Sequence, residues 1–234
     1  VELMKEVEQV ARSFLNDEST RVVAFRGHGQ HFSAGADLKP DRTDEPKPLV
    51  MRRRDAALGA RMIRSILEID QVTIAGIQGA ALGGAACIAT ACDFRIGSPT
   101  VNLTLNEISI GFNLTWHSLP ALVNLVGPHR AKEMLILGRT NEMTELNEFG
   151  YFTETVNDDD GLMPAAEELA AEVVKQPPVP VTVTKASINA QAMPMGRAIQ
   201  HMDHVAVGYM GKSDNSRVAR MTYFGDESRE WGDD

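Results

Sequence analysis

The chain has 234 residues and a mass of 25.5 kDa, room for one large domain or two small ones at roughly 150 residues per domain. Hydrophobic residues make up 43% and charged residues 24%, a globular balance that excludes a disordered, collagen-like or fibrous protein. With 23 Lys and Arg against 32 Asp and Glu, the net charge of −9 argues against nucleic acid or an anionic membrane as the main partner, while leaving room for a local patch that holds an anionic small ligand.

Residues 2–16 place Leu3, Met4, Val7, Val10, Ala11 and Phe14 at three- and four-residue spacing, the signature of an amphipathic helix. Residues 21–26 (Arg-Val-Val-Ala-Phe-Arg) read as a short buried strand stopped by Gly27 and Gly29. The charged, Pro-rich stretch 37–48 reads as a surface loop. Helical spacing returns over 52–69 through Ala56, Ala60, Ile63 and Leu67, and 72–77 (Val-Thr-Ile-Ala-Gly-Ile) is a second buried strand. Glycines then open a tight turn, and the small residues up to Ala91 form a helix able to pack very closely.

A third strand is expected over 93–97 and a fourth within 101–110. Helices are expected over 119–125 and 130–137, parted by Gly127-Pro128, and over 164–175. A break at Pro177-Pro178-Val179-Pro180 precedes a mainly helical stretch 182–210, and the acidic residues 225–234 read as a loose tail. Strands alternating with helices imply parallel pairing and an α/β core. The helical C-terminal third has no strands left to cover, so it is expected to pack on its own core or on a neighbouring subunit.

Cys87 and Cys92 are too few for a disulfide framework or a four-ligand zinc site, and read as buried thiols in a reducing compartment. No run of about 18 apolar residues suggests a membrane helix. The opening Val1-Glu2-Leu3-Met4-Lys5 has neither a leader pattern nor a starting Met. The expectation is a cytoplasmic protein whose chain begins inside its gene.

Two segments follow the ends of the first two strands, where ligands collect in open α/β sheets: Phe32-Ser33-Ala34-Gly35-Ala36-Asp37-Leu38 and Leu82-Gly83-Gly84-Ala85. Their small residues let a ligand approach the backbone. Two converging N–H groups there would stabilise charge growing on a carbonyl oxygen, helped by the positive end of the helix opening near Gly84. Each segment alone reads more simply as turn and packing glycine. Neither matches the phosphate-loop or dinucleotide glycine patterns.

Taken in order, the motifs resemble the crotonase superfamily, the enoyl-CoA hydratase/isomerase family. Its Phe-x-Ala-Gly-Ala-Asp-Leu motif is similar to residues 32–38, and its Asn-Gly-x-Ala-x-Gly-Gly-Gly motif to 78–85. Ala91-Cys92-Asp93-Phe94-Arg95-Ile96-Gly97 and Leu125-Val126-Gly127-Pro128-His129-Arg130-Ala131-Lys132-Glu133 resemble two further motifs. The likeness runs from residue 1 to about residue 210. The family's opening strands have no counterpart here and are taken to lie outside this chain.

The resemblance implies an α/β spiral of β-β-α turns over residues 1–180 and a helical trimerisation region over 181–234. It implies an acyl-CoA substrate, a homotrimer or dimer of trimers, and no cofactor beyond the coenzyme A of the substrate. Ala36 and Gly84 resemble the oxyanion donors; Ala34, Asp37, Leu38 and Gly83 resemble residues along the substrate and its CoA. Of the two glutamates that hydratases of the family use, one position is Cys87, read here as core packing. The other is Glu107, in Leu105-Asn106-Glu107-Ile108.

A single carboxylate suffices to move a proton between C2 and C4, which leans towards double-bond isomerisation. Hydration of a 2-enoyl-CoA and non-catalytic acyl-CoA binding are the rivals. The family's Ile-Pro-Gly-Ala-Gly-Gly-Thr stretch, which lines the acyl pocket, is replaced by residues 113–119. Trp116 is expected as a pocket wall, and His117 as a structural histidine or second acid/base. No histidine pairing reads as a metal site, with His201 and His204 only a weak hint. Arg52, Arg53 and Arg54 read as a solvated helix face sooner than as phosphate ligands.

Overall fold

Strand β2 (Val72–Ile77) is buried at all six positions, which requires cover on both faces and places it inside a parallel sheet. In the computed structural model, which describes residues 1–37, 48–193, 202–223 and 231–232, that sheet runs β1 (Val22–Arg26), β2, β4 (Phe94–Gly97), β7 (Glu154–Thr155), all parallel. A second sheet holds β3 (Ala80–Leu82) parallel to β5 (Asn102–Thr104), with β6 (Thr140–Glu142) antiparallel at its edge and leading into the short helix α6 (Met143–Glu148). The chain passes from the first sheet to the second and then into a helix. It does so through β2, β3 and α4 (Gly84–Ala91), and again through β4, β5 and α5 (Leu119–Ile136). These are the turns of the expected spiral.

Helix α4 is the centre of the main core. Ala85, Ala86, Cys87, Ala89, Thr90 and Ala91 are all buried, and their small side chains let neighbouring elements approach. The Thr90 hydroxyl shares a 2.9 Å hydrogen bond with the buried Tyr151 hydroxyl. The other face of the first sheet is covered by α7 (Leu162–Val174), whose Leu162 and Ala166 pack on Ile74 and Ile96. Part of the C-terminal third therefore covers strands, contrary to the sequence expectation.

The N-terminal helix α1 (Glu2–Ser13) buries Ala11 and sets Met4 and Val7 on the core, but Leu3 and Val10 stay exposed. The helix expected over 52–69 is two helices, α2 (Leu49–Ala56) and α3 (Leu58–Leu67), joined at Ala57. Gly127 (φ 77°, ψ 162°) and Pro128 interrupt α5, as the sequence predicts. The proline cluster opens a helix instead of ending one. Pro178 and Pro180 stand in the first turn of α8 (Pro178–Ala192), where no intrahelical N–H is needed. Helices α9 (Asp203–Met210) and α10 (Asp214–Thr222) follow. Gly232, in the tail read as loose, exchanges two hydrogen bonds with the Asn215 side chain (2.8 and 2.9 Å). Residues 38–47, including Leu38, and His201 and Ile199 lie outside the described residues.

Asp93 ties three elements together. Its Oδ2 accepts from the Thr73 N–H (2.8 Å), the Thr73 hydroxyl (2.9 Å) and the Lys185 ammonium of α8 (2.6 Å). Removing the carboxylate leaves the largely buried Lys185 with the Gln71 carbonyl alone (2.7 Å) and takes the acceptor from two Thr73 donors. Asp93→Ala should therefore cost about 3 kcal/mol in the free energy of unfolding, measured by urea titration. A loss below about 1 kcal/mol would show that α8 is not anchored through this residue.

Candidate active site

Residues 32–35 run alongside β3. The Phe32 N–H donates to Gln78 O (2.7 Å), the Ser33 N–H to Ala80 O (3.0 Å), and the Leu82 N–H to Ser33 O (3.1 Å). Ser33 and Ala81 form a parallel bridge. Three residues beyond each bridge partner stand Ala36 and Gly84, so the two segments arrive side by side. A Cβ on Gly35, which has φ +82°, would meet Leu82 O at 2.4 Å, so this approach requires glycine. Both segments open on one cavity of about 230 Å³.

Gly83 adopts φ 52°, ψ −113° ahead of α4. Its N–H is committed to Thr104 O at 2.8 Å. Gly84 begins the helix, so its N–H has no intrahelical acceptor and sits at the positive end of α4. Of the paired glycines, Gly84 is the one with a donor left for a ligand.

Glu107 enters the same cavity from the turn after β5. The Ile110 and Phe112 N–H groups donate to its carbonyl (3.1 and 2.9 Å), closing the turn around Gly111 at φ 82°. A Cβ on Gly111 would meet Ser216 Cα of α10 at 2.5 Å, so that helix backs the turn closely. Glu107 Oε1 faces the Cα of Gly83, while Oε2 is buried without a hydrogen-bond partner among the described residues. Burial pushes its carboxyl up to about 7, opposed by its own backbone N–H. Asn106 also lines the cavity, its amide donating to the Tyr223 hydroxyl and its Oδ1 facing Gly83.

Cys87 is in the cavity wall, one helical turn beyond Gly84. Burial, and then the Glu107 charge, push its thiol well above the usual range, so it stays protonated and unreactive. Trp116 lines the cavity, its indole lying against Gly84. Ala34 and Gly83 line it too. Asp37 and His117 do not; Asp37 is exposed at the mouth of the loop.

His117 is buried beside the site, its backbone N–H donating to Asp203 Oδ2 at 2.9 Å. Trp116 (φ 57°) and His117 (φ 62°) both adopt the left-handed region, and of the two side chains only the indole reaches the cavity wall. His117 is thus not brought to the position that a substrate-binding or second acid/base role would require. Arg52, Arg53 and Arg54 are exposed on α2. Among the described residues, no group of three His, Cys, Asp or Glu side chains is arranged to hold a metal.

Sequence reading missed Asn106, Phe112 and Val207. The first two stand one and five residues from the acid, within reach of local sequence. Val207 comes from α9, a hundred residues further on, and no local signal places it at the cavity.

The enoyl-CoA hydratase/isomerase family profile matches residues 1–234. A short-chain-enoyl-CoA hydratase from Clostridium acetobutylicum is 30% identical over 189 residues, 80% of this chain and 70% of that protein. A crotonyl-CoA hydratase from Syntrophomonas wolfei is 26% identical over 185 residues, 79% of this chain and 70% of its own. An enoyl-CoA hydratase structure from Mycobacterium avium subsp. paratuberculosis has a TM-score of 0.85 at 20% identity, covering 98% of this chain and 87% of that one. The chain has the crotonase fold, and it belongs to the enoyl-CoA hydratase/isomerase family of enzymes.

The buried acid makes a testable statement about stability. Between pH 4.5, the ordinary value, and about 7, the folded chain holds the Glu107 proton more tightly than the unfolded chain does. Stability therefore falls as pH rises through that window, and the penalty is complete above about 7. Glu107→Gln removes it, so the variant should exceed the parent by on the order of 3 kcal/mol at pH 8 and match it near pH 4.5. Urea titrations at the two pH values measure the difference; equal stability at pH 8 would show a solvated Glu107.

Proposed function

We propose that this chain isomerises the double bond of an enoyl-CoA thioester, with Glu107 as the single proton carrier. The observation that carries the reading is the buried carboxyl of Glu107, its Oε2 without a hydrogen-bond partner among the described residues and its pKa raised to about 7, in the cavity onto which Ala36 and Gly84 open. The Ala36 and Gly84 N–H groups receive the thioester oxygen. Glu107 takes a proton from C2 of a 3-enoyl-CoA, and the electron pair moves into a dienolate whose oxygen charge rests on the two donors. The protonated acid then returns the proton at C4, leaving a 2-enoyl-CoA and the original carboxylate. A group that must both accept and release a proton works best with a pKa near the working pH. The step needs no metal or redox cofactor, and coenzyme A enters as part of the substrate.

Hydration of a 2-enoyl-CoA is the second reading, and one observation favours it. Asn106 Oδ1 and Glu107 Oε1 both face Gly83, where a water could be shared between them. Against it, Cys87 supplies neither a second acid nor a base. Non-catalytic binding is disfavoured by the tuned acid itself.

Assays with crotonyl-CoA and a 3-enoyl-CoA separate the three. We expect turnover of the 3-enoyl substrate, lost by at least about a thousandfold in Glu107→Gln with acyl-CoA binding retained, and His117→Ala within about tenfold of the parent. Hydration of crotonyl-CoA without isomerisation supports the second reading; turnover of neither leaves a binding protein.

The same reading includes assembly as a homotrimer or dimer of trimers, with no nucleic acid or membrane as partner. Its support is the apolar side chains displayed along α8 and beyond: Ile188 is 60% exposed, and Val179, Val183 and Met202 are also exposed. No helix of the described residues is long and apolar enough to cross a membrane. The two buried free cysteines suit a reducing compartment, the cytoplasm. Sedimentation at micromolar concentration should give a trimer or hexamer; a stable monomer would overturn the assembly.

A further inference from the structure

Trp116 occupies a slot made by two glycines. The point where a Cβ of Gly84 would lie is 2.2 Å from Trp116 Cζ3 and 2.9 Å from Cη2. The equivalent point on Gly59, in the first turn of α3, is 2.1 Å from Cε2 and 2.2 Å from Cδ2. The indole is thus clasped between α3 and the start of α4, and a side chain at either glycine would evict it. Its backbone is held in the left-handed region, as is that of His117, whose N–H is anchored to Asp203 on α9. A bulky residue in that region is a genuine outlier, retained only where the surroundings over-determine it. Two glycines and an anchored carboxylate together fix one ring beside the residue proposed to hold the thioester oxygen.

We propose that Trp116 is the specificity-determining wall of the acyl pocket and restricts the enzyme to short acyl chains. The inference rests on the cavity being the acyl-CoA site. A chain leaving the thioester carbon at Gly84 meets the indole within a few carbons. At about 230 Å³ the cavity is also smaller than the roughly 300–1,000 Å³ typical of drug-sized ligands. Leu114 and Phe112 line the cavity with the indole and suit a small hydrocarbon group, while its polar lining, Glu107 and Asn106 among it, is left to the reacting carbons.

The test is a chain-length series. Rates with 2-enoyl- and 3-enoyl-CoA substrates of four to ten acyl carbons are measured for the parent and for Trp116→Gly, which removes the ring and suits the left-handed backbone. The parent should favour the shortest substrates. In Trp116→Gly the ratio of kcat/KM for ten carbons to that for four should rise by at least about tenfold, since each newly buried methylene is worth roughly three- to fourfold. Should Trp116→Gly fail to fold, Trp116→Phe keeps an aromatic ring in the slot and should give a smaller shift in the same direction. A structural role alone would lower all rates together and leave the ratio unchanged. That result, or a parent that accepts ten carbons as readily as four, overturns the proposal. Calorimetric affinities for butyryl-CoA and decanoyl-CoA read the same wall without turnover. A chain-length preference in binding that Trp116→Gly abolishes, with no reaction of any enoyl-CoA, would keep the wall and dismiss the proton-transfer reading.

Discussion

The site depends on the main-chain pairing of residues 32–35 with β3. Without the hydrogen bonds that join Phe32 and Ser33 to Gln78, Ala80 and Leu82, Ala36 and Gly84 would belong to separate parts of the surface. That pairing works only because the side chains are small. Gly35 lies against Leu82 O, Gly79 lies against Gln30 O, and Ala81 is fully buried between the segments. Gln78, itself fully buried, fastens the preceding turn by donating to Gly27 O and Gly29 O (2.8 and 3.1 Å). The Gly/Ala richness of both segments is thus a packing requirement first. Their freedom to present N–H groups follows from it.

Glu107 is the costly element of this arrangement. A carboxyl buried with one oxygen unpartnered destabilises the fold whenever it ionises, and the surrounding structure must hold it there nonetheless. The restraint comes from behind. The Phe112 N–H closes the turn on Glu107 O, Arg220 of α10 stacks on Phe112 at 5.1 Å, and the Ser216 hydroxyl donates to Gly111 O. Tyr223 receives the Asn106 amide from the same side. Helix α10 therefore does more than extend the chain: it braces the turn that carries the acid.

Much of this was legible in the sequence, for identifiable reasons. β1 and β2 are mainly apolar runs bounded by glycine or charge, β4 alternates Phe94 and Ile96 with Arg95, and α1, α3 and α7 carry clear helical spacing. β3, β6 and β7 are two or three residues long, too short for any periodicity to register. Ala36, Gly84 and Glu107 could be named because ordered motifs resemble those of a known family; burial and turn chemistry alone favoured plain glycine turns and a surface carboxylate. What the sequence withheld was long-range. Nothing local in Val207, Ser216 or Tyr223 announces that they pack around a turn near residue 107. Nor does the order Trp116-His117 say which side chain reaches the cavity, because that follows from the left-handed φ of both residues.

The strained dipeptide shows how local preference and function come apart. Each non-glycine residue in the left-handed region costs roughly 1–2 kcal/mol, so the pair together costs several tenths of what a marginal domain possesses. An aromatic ring recovers part of that by burial, at about 25 cal/mol per Å² over the area it loses to water, and Trp116 is only partly buried. The hydrogen bond to Asp203 adds a charge-assisted contribution, yet burial raises the Asp203 carboxyl, so that anchor weakens as the pH falls towards its titration. The indole fills the space that a Cβ at Gly84 or Gly59 would enter. The sequence spends two glycines to make room for one indole. Local rules are broken here in concert, at the cavity and nowhere else among the described non-glycine residues, which accords with the role proposed for the ring in the acyl pocket.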